Sequence, residues 1–308
     1  MKLARRNYRS EDDYWRIRQF LRDVYLLNHR HEHSWQVYRF DYWRWHVNLN
    51  IVKDSLEEKI FLWEVESGQL AAVLNPEGGH DAVFQVHPTW RTSSLEAEML
   101  ETAEASLGRS TESGRRRLVV WAAREDAARR TLLSQRGYRT EDWPEYQRRR
   151  SLDGEFPTAA VPEGYTVRAL GDADELPARS WLSWRAFHPD EPDENYEGWQ
   201  WYRNIQRCPL YRQDLDIVAA APDGTLAAFC TVWFDDVTRT GSFEPVGTAP
   251  EHQKLGLGKA VMAAGLRRLQ QLGATLATVG SYGPAAHALY KSVGFLEYDL
   301  SDPWVKEF

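Results

Sequence analysis

The stretch "EHQKLGLGKAVM" at 251–262 holds two glycines one residue apart, Gly256 and Gly258. After them Leu257, Val261, Gly265, Leu269 and Leu272 recur at helical spacing, which predicts a helix over 257–271 with one buried face. The glycines then fall at the helix N-terminus, where the first backbone N–H groups are unpaired and the dipole is positive. Glycine lets an anion reach those N–H groups with no Cβ in the way. Lys254 and Lys259 add positive charge beside them. Two familiar phosphate motifs fail. A P-loop needs a hydroxyl where Ala260 stands and a glycine where Gln253 stands, and a dinucleotide fingerprint needs a third glycine where Val261 stands.

The cradle needs a strand in front of it and a sheet beneath it. "SFEPVGT" reads as that strand, ended by Pro250. "YTVRAL" predicts the first strand of the domain. "ATLATVG", a short helix over 284–292 and a last strand follow the glycine helix. Alternation of this kind indicates an α/β domain with a mixed sheet. The pattern occurs twice. "IFLWEVESGQLAAVL" at 60–74 matches "DIVAAAPDGTLAAFC" at 216–230, both hairpins with a turn at Gly68 or Gly224. "VFQVHPTW" at 83–90 matches "PVGTAPEH" at 245–252, and "LLSQRGYRTEDW" at 132–143 matches "LYKSVGFLEYDL" at 289–300. The offsets are 156, 162 and 157 residues in the same order, so the chain holds two copies of one domain. The Pro- and Gly-rich "SLDGEFPTAAVPEG" reads as a linker over 151–164, between a domain at 1–150 and another at 165–308.

The pattern Gln/Arg-x-x-Gly-x-Gly/Ala is met by Gln253, Lys254, Leu255, Gly256, Leu257 and Gly258, and "AAHALYKSVGF" follows further along. On these two motifs the chain resembles the GNAT superfamily of acyl-CoA-dependent N-acyltransferases, in its tandem two-domain form. The likeness covers 165–308 well and 1–150 in outline. It implies two tandem GNAT-like domains, each a mixed, mostly antiparallel sheet flanked by helices. It implies acetyl-CoA as acyl donor, no metal, and pyrophosphate on the glycine cradle, with Lys259 at its edge. By the same resemblance Val246, Gly247 and Thr248 pair with the pantetheine arm through their backbone. Tyr290 matches the tyrosine near the sulfur, a general acid for the leaving thiolate. Glu244 is the candidate base: two residues before Val246, it shares a strand face with it, as does Ser242. The superfamily's frequent asparagine is Gly283 here, so Ser281 and Tyr282 are the candidate compensating cofactor contacts.

The first copy departs from this pattern. Aligned on His87-Pro88 it has Ser94 and Glu96 at the glycine positions, and aligned on Gly137 it has Leu133 in place of the tyrosine. A carboxylate repels pyrophosphate, so this copy reads as a degenerate domain kept for structure or acceptor binding. "HRHEH" at 29–33 offers metal-type residues, with His31 and His33 two apart on a helix and no third ligand, and reads as a solvated stretch rather than a zinc site. The aromatic "SWQVYRFDYWRWHVNLN" at 34–50 reads as helix core or as a wall of an acceptor pocket. The acidic segment at 189–197 reads as a solvated loop.

Composition bounds the partners. The 308-residue chain is 43% hydrophobic, enough for packed cores. Its net charge of −7 argues against nucleic acid. No apolar run reaches membrane-span length and residues 1–18 lack a secretory signal, so a cytoplasmic protein with no membrane partner is expected. Two cysteines allow no disulfide framework. Residues 1–150 carry 25 Lys and Arg against 23 Asp and Glu, whereas 151–308 carry 13 against 22, so the second copy attracts cations. The expectation is an N-acetyltransferase, monomeric or homodimeric, that acts on the primary amine of a small molecule. A protein or peptide amine, or a coenzyme A-binding module without turnover, are the alternatives.

Overall fold

The computed structural model describes residues 3–308. It divides into two compact units, each a mixed sheet flanked by helices. The first holds residues 3–146 with Asp299–Phe308, and the second Gln147–Tyr298.

The first unit begins with β1 (Ala4–Asn7), α1 (Glu11–Leu27), α2 (Val37–Tyr42), which runs on into a π-helical segment over Trp43–Val52, and α3 (Leu56–Lys59). There follow β2 (Phe61–Glu64), β3 (Leu70–Asn75), β4 (Asp81–Val86), α4 (Ser93–Ser106), β5 (Arg109–Ser110), β6 (Arg116–Ala123), α5 (Ala127–Gln135) and β7 (Arg139–Thr140). Met99, Leu100 and Ala103 of α4 pack on Phe61, Leu74, Phe84 and Val120 of the sheet. Trp35, Val37, Tyr38, Phe40 and Trp43 of the aromatic segment are buried. The histidine stretch is not helical: α1 ends at Leu27, and His29 and Arg30 have positive φ. The His31 and His33 rings instead stack at 6.2 Å, and His31 pairs with Asp299. No group of three metal-ligating side chains occurs among the described residues.

The second unit contains β8 (Glu145–Ser151, from Gln147 onward), β9 (Thr166–Ala169), α6 (Leu176–Phe187), α7 (Tyr202–Ile205), β10 (Asp216–Ala220), β11 (Leu226–Asp235), β12 (Thr240–Thr248), α8 (Leu257–Gln271), β13 (Leu276–Ser281) and α9 (Pro284–Ser292). The expected helices over 257–271 and 284–292 are α8 and α9. Leu257, Val261, Met262, Leu266 and Leu269 of α8 bury against Ile217, Val232 and Phe243 of the sheet, each such side chain stabilising by roughly 1.5–3 kcal/mol. Both hairpin glycines, Gly68 and Gly224, adopt the positive φ their turns require. The segment over 152–164 is irregular yet anchored: Leu152 is buried in this core, and Gln270 donates to the Leu152 and Gly154 carbonyls.

The last strand, β14 (Glu297–Glu307), departs from the division expected at 151–164. From Ser301 to Glu307 it pairs antiparallel with β6 of the first unit. The first sheet runs β1-β2-β3-β4-β6-β14 and the second β9-β10-β11-β12-β13-β8. Equivalent positions in the two sheets are thus filled by each other's final strand. A boundary drawn from composition cannot register this, because a strand's pairing partner is a non-local property.

Candidate active site

Local chain geometry builds the cradle. Lys254 and Gly256 have φ of 61° and 82°, and α8 starts directly after them with Gly256 as its N-cap. At Gly256 the left-handed backbone is the reason for glycine, since a Cβ there would meet nothing within 4 Å. At Gly258 the reason differs: its φ is ordinary, and a Cβ would sit 3.3 Å from Leu289 Cδ2 and 3.5 Å from Thr248 Oγ1, above the first helical turn. Gln253, Lys254, Leu255 and Gly256 are exposed, Gly258 and Lys259 are half-buried, and Leu257 is turned into the core. Leu257 therefore offers only its backbone N–H.

β12 leads into this cradle and parts from its neighbour on the way. It pairs in parallel with β13 only over Thr240–Ser242. On its other side it keeps its partners in β11, with Cys230 opposite Val246, Phe229 opposite Gly247 and Ala228 opposite Thr248. The Ala249 N–H bonds to the Ala227 carbonyl. By antiparallel alternation the Val246 and Thr248 N–H and C=O groups then face away from β11, into the opening. Gln253 Nε2, 3.5 Å from the Thr248 carbonyl, reaches in from that side. Gly247 packs on the opposite face, where a Cβ would lie 2.6 Å from the Phe229 ring.

A bulge interrupts the ladder. Val232 faces Phe243 and Cys230 faces Val246, so Glu244 and Pro245 together oppose Thr231 alone. Phe243 and Val246, three apart, both pack on the α8 core. The strict alternation that would set Glu244 and Val246 on one face therefore fails. Ser242 is fully buried with its hydroxyl 2.7 Å from Thr278 Oγ1, which occupies it. Glu244 is half-buried. Tyr290, on α9, is buried, and its phenol is held well above the ordinary value, chiefly by burial and next by the charge of Glu244. The Glu244 charge thus contributes to holding the proton on the Tyr290 phenol.

Ser281 ends β13 with its hydroxyl buried and engaged by Arg148 Nε at 3.1 Å and His287 Nδ1 at 2.9 Å, so it supports the site from within. Tyr282 is 54% exposed. His287 and Arg148 are not evident from sequence. His287 precedes Tyr290 by three, one helical turn, which is a signal in hindsight. Arg148 lies in the segment that sequence assigns to the other copy. Arg148 Nη2 is 3.3 Å from His287 Nδ1. Because arginine only donates, Nδ1 accepts and the ring proton sits on Nε2. Partial burial and the neighbouring Arg148 and Lys291 charges lower the His287 pKa, in keeping with a neutral ring.

The second unit fits a coenzyme A thioester: an accessible helix N-terminus, and a strand edge whose polar groups face an opening. The first unit does not. Its β4 also parts from β6 after Ala82, but the Val86 N–H bonds to Ser34 Oγ and Gln85 Oε1 accepts from the Trp35 N–H. The aromatic segment thereby plugs its own cleft. Thr92, not Ser94, is the counterpart of Gly256, since it caps α4 and its hydroxyl takes the Leu95 N–H. Glu96 sits two residues further into the helix than the sequence alignment puts it. Its carboxylate is held ionised below its usual range despite burial, by Arg129 at 2.7 Å and Arg91 at 2.9 Å. A cavity of about 630 Å³ at this helix end is lined by Arg91, Thr92, Glu96 and Leu132 among others, with the arginines already neutralised. Leu133 is fully buried at the tyrosine position.

Comparison with known proteins bears on the family and the fold. Residues 176–295 match the family described as "Acetyltransferase (GNAT) family". The chain is 27% identical over 250 residues to a mycothiol acetyltransferase of Paenarthrobacter aurescens (strain TC1), covering 74% of this chain and 71% of that protein. It is 29% identical over 232 residues to a mycothiol acetyltransferase of Salinispora arenicola (strain CNS-205), covering 73% and 72%. Its fold is similar to a GCN5-related N-acetyltransferase from Sphaerobacter thermophilus, with a TM-score of 0.67 at 16% identity over 99% of this chain and 95% of that one. A tandem GNAT protein from the clavulanic acid biosynthesis pathway gives a TM-score of 0.67 at 15% identity over 99% and 98%. No helix among the described residues is long and apolar enough to cross a membrane. The family match lies within the second unit, the fold of the whole chain is that of tandem GNAT proteins, and together these likenesses support an N-acetyltransferase of the tandem GNAT type.

Proposed function

We propose that the second unit transfers an acetyl group from acetyl-CoA directly to the primary amine of a small molecule, in the cytoplasm. The observation that carries this is the parting of β12 from β13 after Ser242, with Glu244 just beyond the point of parting and the α8 N-terminus at the far end of the strand. When bound, acetyl-CoA supplies a thioester whose carbonyl is open to attack. The N–H groups of Gly256, Leu257, Gly258 and Lys259 bind its pyrophosphate, with Lys254 and Gln253 at the rim. The outward N–H and C=O groups of Val246 and Thr248 orient the pantetheine arm, and one N–H polarises the carbonyl. Glu244 takes a proton from the acceptor ammonium, and the freed lone pair forms the new C–N bond. As the C–S bond breaks, Tyr290 gives its proton to the departing sulfur, and its phenolate takes the second proton from the acylated nitrogen. The acidic balance of 151–308 draws a cationic acceptor toward this unit. The relatives' name, mycothiol acetyltransferase, supports a small-molecule acceptor. The test is the full chain with acetyl-CoA and a panel of small amines, lysine peptides and N-terminal peptides, following free thiol and product mass together. Acetylated small amine with stoichiometric thiol is the expected result. Exclusive peptide acetylation, or thiol release with no acetylated product, overturns it.

A further inference from the structure

The bulge that carries Glu244 is held by a side chain that no motif marks. Trp233 lies on β11 opposite Ser242, is 1% exposed, and donates its indole N–H to the Glu244 carbonyl at 2.5 Å. Two residues, Glu244 and Pro245, stand where the ladder offers only Thr231. A main-chain carbonyl at a bulge loses its regular ladder donor. A half-buried carbonyl there is held in one place when a side chain donates to it. The indole N–H is that donor, at the residue whose carboxylate the reaction needs placed.

The support behind Trp233 is rigid. Tyr211 packs edge-on against it at 6.3 Å, and the Tyr211 hydroxyl donates to Asp216 Oδ2 at 3.1 Å. Asp216 is fully buried and also accepts from Tyr202, from Thr231 Oγ1 and from Arg179 Nε at 3.1 Å. Arg179 Nη2 binds Thr231 Oγ1 in turn, so the one residue opposite the bulge is tied to the same ion pair. Both the indole that grips the bulge and the residue that faces it are fixed to one buried charge pair.

We propose that Trp233 is a positioning residue for the acyl-transfer step: by clamping the Glu244 carbonyl it fixes the bulge that aims the Glu244 carboxylate toward Tyr290 and the acceptor. The proposal rests on the reading of Glu244 as the base. A misplacement near 1 Å costs about 10²-fold in rate, so Trp233→Phe, which keeps an aromatic filler and removes the N–H, lowers kcat by about 10–100-fold. KM for acetyl-CoA stays within twofold, because the cradle and the outward groups of Val246 and Thr248 lie beyond the bulge.

The experiment measures kcat, KM and the pH–rate profile for Trp233→Phe, Glu244→Gln and the double variant in the full chain, with Trp233→His as the variant that keeps a ring N–H. The expected result is an acid limb displaced in Trp233→Phe, a double variant no slower than Glu244→Gln, and partial recovery in Trp233→His. If Glu244→Gln removes the acid limb while Trp233→Phe leaves kcat and the limb unchanged, the clamp is wrong and the base reading stands. If Glu244→Gln itself keeps the limb, the base reading fails and the clamp loses its purpose with it. Independent slowing in the double variant reduces Trp233 to a packing residue. Should Trp233→Phe not fold, indole N–H exchange in the unmodified protein decides: protection of the Trp233 proton supports the clamp, and exchange as fast as an exposed indole overturns it.

Discussion

Replacement of Gly258, by alanine and by glutamate, separates a glycine required by a ligand from one required by the fold. The Gly258 φ is ordinary, so alanine adopts it without strain and gains about 0.5–1 kcal/mol of helix propensity. Against this, the new methyl meets the flexible end of Leu289 at 3.3 Å, which must shift by a few tenths of an ångström. The two effects nearly offset, and the melting temperature moves by roughly 2 °C or less. The methyl rises over the first turn of α8, between Thr248 Oγ1 and Leu289, where an anion must approach the free N–H groups. The pattern met by Gln253 to Gly258 itself admits alanine here, so Gly258→Ala leaves Kd within a few-fold, whereas Gly258→Glu sets a carboxylate against the anion and loses at least one charge-assisted hydrogen bond, about 1.5–3 kcal/mol, or roughly 10- to 150-fold in Kd. Gly256→Ala has the opposite signature: the left-handed φ of 82° costs roughly 1–2 kcal/mol of stability, and the methyl points into open space. Calorimetric titration with acetyl-CoA, paired with thermal melts, reads both quantities. A Gly258→Glu protein that binds acetyl-CoA within twofold of the parent would refute the placement of the anion on this turn.

Four further outcomes are expected. Titration gives one coenzyme A per chain, since Ser34 and the Glu96–Arg129 pair fill the first unit's cleft; two equivalent sites would contradict this. Tyr290→Phe lowers kcat by about 10²–10⁴-fold with acetyl-CoA affinity unchanged, measured by steady-state rates and titration. Glu244→Gln abolishes the acid limb of the pH–rate profile. It also moves the alkaline limb to lower pH, because the Glu244 charge is one cause of the raised Tyr290 pKa; an unmoved alkaline limb assigns that limb to another group. A fragment of residues 156–308 does not fold as a unit, because it lacks β8, the neighbour of β13, and leaves β14 without β6; a sharp cooperative melt of that fragment would count against the exchange of final strands.

Much of this site is legible in the sequence because it is local. The cradle, α8 and α9 follow from glycine chemistry and helical spacing within about forty residues, and their bounds agree with the structure. What was illegible depends on pairings between distant segments. Pro245 in "SFEPVGT" is compatible with a bulge, but which two residues face one is set by the register between β11 and β12. Ser281 carries a polar hydroxyl that suits a cofactor contact, yet Arg148, 133 positions earlier, has claimed it. The first unit shows the same limit in reverse. Glu96 predicts a lost anion site, but the reason the cleft is closed is Ser34, on a segment whose aromatic composition gives no hint of a plug.

On the proposed roles of Glu244 as base and Tyr290 as acid, the Glu244 charge felt at the phenol bears on the order of proton movements. With Glu244 ionised, its charge adds to burial in raising the Tyr290 pKa, so the phenol keeps its proton while the acceptor is still being deprotonated. Once Glu244 has taken the ammonium proton, that contribution disappears, and burial with the smaller contribution of Cys230 remains. The phenol is then a stronger acid than before, at the stage when the sulfur departs and needs a proton. Uptake at one residue thereby prepares release at the other through an electrostatic contact, with no conformational change. This requires the carboxylate to stand at a fixed, short range from the phenol, because the coupling falls with distance. A loosened bulge weakens the base and the timing of the acid together. A clamp on the Glu244 carbonyl therefore affects both limbs of the pH–rate profile, whereas the loss of Tyr290 removes only the proton donor.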